Sequence, residues 1–471
     1  MKKIIFFIIF FSLLSHANEL PELGSSFDSL INAADEKKIK FQIMQQVFLS
    51  NTVIQDPEIN DYLNNLGNEL IRSSGDQVND INFFIVNDNS INAFAMLGNV
   101  IGVHTGLFFA ANTESELASV ISHEIAHISQ KHLLRLFDSQ ARNSYKTYLA
   151  LAIAILAARS SPQLASGAIT AASASQTQNL LDYTRSNEQE ADRIGLQILN
   201  KAGYDPRGFI EFFSTMQKFN NFSTGPAPAF LRTHPVTTER ISDIQDRLKD
   251  FKYMQRENKL EFYLIKAKMK ALIVNHSEVI NIFQNELKHN NYINEAATYY
   301  GLTYSFLRNN KIKDARNTMD RLSKINIDHP MILELEANIL IKEKKYEEAF
   351  ELYRNAINKY PYHRAFILGI SNLLIQANKP DKVIEFLKSM LTNFKKDPFF
   401  YKLLAKAYNQ KSNFLLEHEN LSDFYYNQFD MQNAISQMDL AVKIKSDNFY
   451  DQSRVEYRLK ELKRESELMN N

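Results

Sequence analysis

His123-Glu124-Ile125-Ala126-His127 places two imidazoles one helical turn apart with a carboxylate between them. At about 100° of rotation per residue, side chains at i and i+4 leave one face of a helix, about 40° apart. Both rings can then meet one small cation, and Zn²⁺ accepts neutral imidazole at roughly 2.0–2.1 Å. Glu124 falls beside such an ion rather than on it, where a hydrolytic site needs a general base for water. H-E-x-x-H is short, so its surroundings carry the reading. Thr113-Glu114-Ser115-Glu116 has the T-x-x-E form of a capping box, which predicts a helix start. Leu117, Val120, Ile121, Glu124, Ile125 and Ile128 then recur near helical period, with no Pro or Gly among them. Two histidines and a glutamate on the cleft side of a buried helix are sustainable only when paired or metal-bound. His132, nine positions after His123, falls about 180° around a straight helix. It is expected at the surface, away from the metal.

A second helix supplies the next ligand. Ser186-Asn187-Glu188-Gln189 reads as another capping box, opening a helix through Ile194 towards Leu199. Glu188 and Asp192 share a face with Ala191, Gly195, Ile198 and Leu199, whereas Glu190 lies about 200° from Glu188, beside Arg193 and Gln197. A carboxylate on the buried stripe needs a partner; one on the wet stripe does not. Glu188 is therefore expected as the third metal ligand and Glu190 as a surface charge. Asp192, one turn on, suits holding a ligand histidine by its other ring nitrogen, the alternative being an intrahelical partner. Gly195 permits close helix contact.

H-E-I-A-H followed by Glu188-Gln189-Glu190-Ala191-Asp192 resembles the HtpX-like and prenyl-endopeptidase-like metallopeptidase family, whose zinc site joins H-E-x-x-H to an E-x-x-x-D helix. Asn92-Ala93-Phe94-Ala95 and Thr105-Gly106-Leu107 are also similar to that family's segments before the zinc helix. The resemblance implies a zincin-type endopeptidase with one Zn²⁺ on His123, His127 and Glu188, one position open, and Glu124 as base. In soluble members a histidine in a T-H-P context approaches the metal. That carries over to His234 in Leu231-Arg232-Thr233-His234-Pro235, after the loop Gly225-Pro226-Ala227-Pro228 and before Arg240 on a helical segment. His234 would then either donate to the oxyanion or occupy the open position as a gate; a plain loop histidine is the alternative.

The rest of the chain supplies context. Residues up to about Ser73 read as helical, with Phe41, Met44 and Val47 as an apolar stripe. Ile81 to Val86 reads as a strand, Asn87-Asp88-Asn89-Ser90 as a turn, and Ala93–Gly98 and Val100–His104 as short extended segments. A small sheet therefore precedes the metal helix, and an edge strand there could take substrate by β-addition. Tyr148 to Ala158 is very apolar and runs into an Ala/Ser-rich stretch to Ser175, shorter than a membrane crossing. It reads as a helical hairpin over the cleft, or as an insert touching membrane or an unfolded client.

From about Leu260 the texture changes to paired amphipathic helices. Ala315, Ala349 and Val383 are spaced by 34 residues, and Lys344 to Tyr353 with Tyr360-Pro361 resemble the second helix and exit of a tetratricopeptide repeat. Gly301 and Tyr304 fit a first helix, Ala407 and Tyr408 a longer unit, and Ala434 a final repeat. Such arrays form a solenoid with a concave binding face. The expected fold is mainly α (α+β), divided as 1–17 signal peptide, 18–255 zinc metallopeptidase domain and 256–471 repeat domain.

Lys2 and Lys3, the apolar run Ile4 to Leu14 and Ser15-His16-Ala17 form the signal-peptide pattern, with cleavage near Ala17 and the periplasm as destination. An uncleaved anchor is the alternative. The absence of cysteine excludes disulfides and a lipid-modified cysteine. Lys plus Arg and Asp plus Glu balance at 54 each among 471 residues, so no global field points to nucleic acid. An exported zincin with tetratricopeptide repeats is similar to the β-barrel assembly-enhancing peptidases of Gram-negative bacteria. That resemblance implies chaperone-like activity as well as proteolysis on misassembled outer-membrane β-barrel proteins. It extends to the lipopolysaccharide-export barrel, the barrel assembly machinery and peripheral contact with the outer membrane. Two rivals stand beside it: a non-catalytic binding protein whose metal site is closed by four ligands, and an integral membrane prenyl-protein peptidase. The shortage of long apolar segments after Leu14 argues against the second.

Overall fold

The computed structural model describes residues 33–49, 52–75, 80–135, 174–222, 228–252, 254, 256–446 and 448–470. The expected signal peptide and nearly all of the apolar 148–175 stretch lie outside them. Helix α1 (Ala33–Leu49) buries the expected Phe41, Met44 and Val47, together with Ile39 and Ile43. α2 (Pro57–Ser74) starts where Asp56 Oδ1 accepts from the Ile59 amide at 3.1 Å, with Pro57 at the first position where no N–H is needed.

Three short strands follow: β1 (Asn82–Val86), β2 (Ala93–Met96) and β3 (Val100–His104). Their order is β1-β3-β2, with β1 parallel and β2 antiparallel to β3. β3 is buried along its length, and β2 is the edge beside the metal helix. One face of the sheet meets α1 through Phe84, Val86, Met96, Leu97 and Val100. The other joins the main core with α2 and α4.

After α3 (Thr105–Ala110) comes α4 (Glu114–Ser129), capped as expected by Thr113 Oγ1 on the Glu116 amide at 3.1 Å. The reciprocal half of the box differs: Glu116 Oε2 accepts from the Asn112 amide instead, at 3.2 Å. Every residue of α4 from Glu114 to Ala126 is buried. α5 (Ala174–Lys201) corrects the second capping box, since the helix is already under way at Ala174 and Ser186 lies inside it. No Pro or Gly interrupts residues 174–194, so nothing forces a start at Ser186. An added Cβ on Gly195 would stand 3.1 Å from the His123 backbone, so the glycine sets how closely α5 approaches α4. α6 (Gly208–Phe222), α7 (Ala229–Thr233) and α8 (Thr238–Leu248) complete the surroundings of the site.

The repeats begin with α9 (Leu260–Ile273), α10 (His276–Lys288), α11 (Glu295–Arg308) and α12 (Ile312–Ser323). They continue through α13 (Pro330–Lys342), α14 (Tyr346–Lys359), α15 (Arg364–Gln376) and α16 (Pro380–Met390). α17 (Pro398–Gln410), α18 (Phe414–Asn427), α19 (Met431–Lys443) and α20 (Phe449–Asn470) close the array. Ala315, Ala349 and Val383 are each fully buried, as small or compact residues at a helix-pair seam should be.

The solenoid is not a free appendage. One hydrophobic core runs without a break from Ile59 in α2 to Ile339 in α13. Lys268 of α9 lies buried between Asp56 at 2.7 Å and Glu58 at 2.6 Å. At the far end Phe41 of α1 packs edge-on against Phe429 at 5.4 Å.

Glu334 of α13 sits in this seam, accepting from Asn338 Nδ2 at 3.0 Å and from the Tyr353 hydroxyl at 3.2 Å. Burial, with Glu58 nearby, pushes its carboxyl up to about 8 despite the opposing Lys268 and these hydrogen bonds. The folded state then holds a proton that the unfolded chain releases above its ordinary value, so stability falls as pH rises between about 4.5 and about 8. Glu334→Gln should flatten that decline in thermal denaturation followed from pH 5 to pH 8; an unchanged slope would contradict the assignment.

Candidate metal centre

α4 and α5 cross at Gly195 and His123, and that contact brings the expected residues together. His123 Nε2 lies 3.0 Å from His127 Nε2 and 3.3 Å from Glu188 Oε2. His127 Nε2 is 3.4 Å from Glu188 Oε1. His234, at the C-terminal end of α7, adds its Nδ1 at 3.4 Å from His123 Nε2 and 3.0 Å from Glu188 Oε1. One donor atom from each of these four side chains lies within 4.8 Å of every other.

The spacing tests whether a metal fits. Donors at the corners of a tetrahedron, each about 2.0–2.1 Å from its centre, stand roughly 3.3–3.4 Å apart. Five contacts among these side chains, made to both Glu188 oxygens, fall at 3.0–3.4 Å, close to that figure, and the four donors all lie within 4.8 Å. Three imidazoles and a carboxylate are also the borderline-soft donor set that a small divalent transition ion takes. Among the described residues this cluster can hold a metal ion.

Behind the donors lies a buried ion network. Asp192 Oδ1 is 3.0 Å from His123 Nδ1, on the side away from the cluster, as the helical spacing suggested. Arg240 of α8 grips Asp192 with two nitrogens, at 2.6 and 2.7 Å, and reaches Glu188 at 3.0 Å and the Pro235 carbonyl at 2.8 Å. Burial works to raise Glu188, but His234, His123 and His127 outweigh it and hold the carboxyl well below the usual range. Burial also disfavours a charged His123, yet Asp192 and Glu188 lift that imidazole to about 9. His127 is lowered by burial.

Glu124 is buried on the same face, its Oε1 3.4 Å from His234 Nε2 and without a hydrogen-bond partner among the described residues. His234 is held from two sides. Its ring stacks on Phe230 at 4.9 Å and its amide donates to the Phe230 carbonyl at 2.7 Å. The Phe230 amide in turn donates to the Ile91 carbonyl at 3.0 Å, tying α7 to the segment that enters β2.

Two expectations are corrected. His132 is buried, not on the surface, and Glu190 is half-buried and paired, not a free surface charge. Lys131 adopts φ 53°, so the chain turns after Ser129 and the straight-helix projection no longer applies to His132. Its Nδ1 reaches His127 Nδ1 at 2.8 Å, its Nε2 meets Glu190 Oε2 at 3.1 Å, and Arg135 holds the same oxygen at 2.8 Å. Arg240 was seen in the sequence without a role. Two buried carboxylates on one stripe of α5 were the signal that a buried cation must face them.

Residues 57–248 match the model of peptidase family M48, and residues 340–407 match a tetratricopeptide-repeat model. The chain is 31% identical over 392 residues to the β-barrel assembly-enhancing protease of Escherichia coli O157:H7, covering 83% of this chain and 80% of that one. It belongs to the β-barrel assembly-enhancing protease family. A putative member of that family from Vibrio cholerae is 30% identical over 397 residues, covering 84% and 82%. More distantly, the mitochondrial metalloendopeptidase OMA1 of Schizosaccharomyces pombe is 29% identical over 164 residues, 35% of this chain and 45% of that one. The resemblance drawn from H-E-I-A-H and E-Q-E-A-D therefore holds, and the chain is a metalloendopeptidase with a repeat array suited to protein interaction. No helix among the described residues is long and apolar enough to cross a membrane.

Removing the cation behind the site should be costly. Arg240→Leu leaves Asp192 and Glu188 buried without their guanidinium, and such a loss costs about 3–5 kcal/mol. Urea denaturation of wild type and variant measures this directly; a difference under about 1 kcal/mol would contradict the network's role.

Proposed function

We propose that this protein is a periplasmic zinc endopeptidase with chaperone-like activity that acts on misassembled outer-membrane β-barrel proteins. The names of its relatives and the export pattern at Lys2 to Ala17 support that setting, with the peptidase over residues 18–255 and the repeats over 256–471. The lipopolysaccharide-export barrel and the barrel assembly machinery are the clients and neighbours this reading implies. His123, His127 and Glu188 would hold one Zn²⁺. When bound, the ion supplies Lewis acidity that polarises the scissile carbonyl and acidifies water.

The chain's own groups do the proton work. Glu124 takes the proton of the attacking water and passes it to the leaving amine. Asp192 keeps a proton on His123 Nδ1 and so leaves Nε2 as a lone-pair donor. Arg240 holds both carboxylates of α5 in place. Among the described residues β2 is an edge strand beside α4, a position suited to an extended peptide bound by main-chain hydrogen bonds.

The observation that carries the regulatory half of the reading is the place of His234. Its Nδ1 stands at a fourth donor corner, 3.0 Å from Glu188 and 3.4 Å from His123. This favours the gate over the oxyanion donor: His234 closes the site until a client displaces it. Opening would break the Phe230–Ile91 bond and free the approach to β2. The rival, a closed structural site, has no use for a carboxylate buried beside the donor cluster at Glu124, facing His234.

Glu124→Gln should bind zinc like the wild type while cleavage of casein and unfolded barrel protein drops by about 10²–10⁴. Retained turnover would remove Glu124 as base. His234→Ala should raise cleavage of the same substrates; a fall would return His234 to the role of transition-state donor.

A further inference from the structure

His123 and His127 are supported from behind by two devices of the same design. His123 Nδ1 meets Asp192, which Arg240 clamps. Among the described residues His127 Nδ1 meets no carboxylate directly. It faces His132 Nδ1 at 2.8 Å, with the two rings nearly perpendicular at 78°. His132 Nε2 then meets Glu190 Oε2 at 3.1 Å, and Arg135 holds that oxygen at 2.8 Å. Both imidazoles of α4 thus end in a carboxylate and an arginine, and the second path is one imidazole longer.

Proton placement along this path has one consistent solution. A carboxylate only accepts, so His132 must carry its proton on Nε2 to bond Glu190. A neutral His132 then has an unprotonated Nδ1, which can only accept. His127 must therefore donate from Nδ1, and its Nε2, facing His123 and Glu188, is left with a lone pair. With the opposite tautomer of His132, two N–H groups would collide at 2.8 Å, or His127 would put its proton on Nε2, where a metal must bind.

We propose that His132 is a positioning residue: oriented by Glu190 and Arg135, it accepts the Nδ1–H of His127 and fixes the tautomer that frees Nε2 for the metal. This rests on the reading of His127 as a ligand. Outer groups of this kind typically contribute 10–100-fold to metal affinity. The turn at Lys131 is what makes the relay available, because it swings His132 back under the helix end.

The test uses the full chain, stripped of metal and titrated with Zn²⁺ against a chromophoric chelator. His132→Leu should bind about 10–100-fold more weakly, while His132→Asn, whose Oδ1 stands in for the accepting Nδ1, should stay within about threefold of wild type. Glu190→Ala, at a half-exposed position, should also weaken binding and serves as the deciding variant if His132→Leu does not fold. Wild-type affinity in His132→Leu or in Glu190→Ala, or equal loss in the Leu and Asn variants, would overturn the relay. His127→Ala separates the two layers. Lost binding there with an intact His132→Leu overturns the relay alone; retained binding in His127→Ala overturns the ligand reading and the relay with it.

Discussion

Two carboxylates of α5 pressed against the imidazoles of α4, out of contact with water, are the constraint on which the peptidase core depends. Such a cluster is unsustainable without compensation, because each buried anion costs several kcal/mol unless paired. Arg240 supplies the fixed positive charge from behind, and three imidazoles converge in front. The contact exists because Gly195 lets α5 lie on the backbone of His123. Neither helix is buried for its own sake; the buried apolar residues of α4 and the stripe Ala191, Ile198 and Leu199 of α5 bring the polar groups into register.

The two sides of the site are held by different means. α4 and α5 are long, packed and locked by ion pairs. α7, which delivers His234, is a short helix anchored by Phe230, buried edge-on against Phe212 at 5.3 Å, and by one main-chain bond to Ile91. The solenoid shares a core with the peptidase unit through α2 and α9, and α1 ties the sheet to the last repeats through Phe41 and Phe429. The repeat array and the metal centre therefore stand on one continuous core.

Much of this was legible in the sequence, and what failed did so for local reasons. The spacing of His123, His127, Glu188 and Asp192 is a helical wheel statement, and the structure brings these side chains together because both segments are uninterrupted helix where it matters. The strands at 82–86, 93–96 and 100–104 were readable from β-branched and aromatic runs broken by turn residues. The repeats showed in a period of 34 residues. His132 was misplaced because a wheel assumes a straight helix and Lys131 is left-handed, and Glu190, on unbroken α5, gained its partners because that turn brings His132 and Arg135 to it. Ser186 looked like a cap because S-x-x-Q is a local pattern, whereas the helix boundary was set by the absence of any breaker upstream. Arg240 could be recognised only by asking what faces two buried carboxylates, a question that pairs residues 48 apart in the chain.

X-ray absorption at the zinc edge, on purified full-length protein with bound metal, addresses the central claim most directly. The account predicts one zinc per chain in a shell of four nitrogen and oxygen donors at about 2.0–2.1 Å, with the multiple-scattering signature of three imidazoles. A shell dominated by water oxygens, or one carrying a single imidazole, would contradict the convergence of α4, α5 and α7 on one ion.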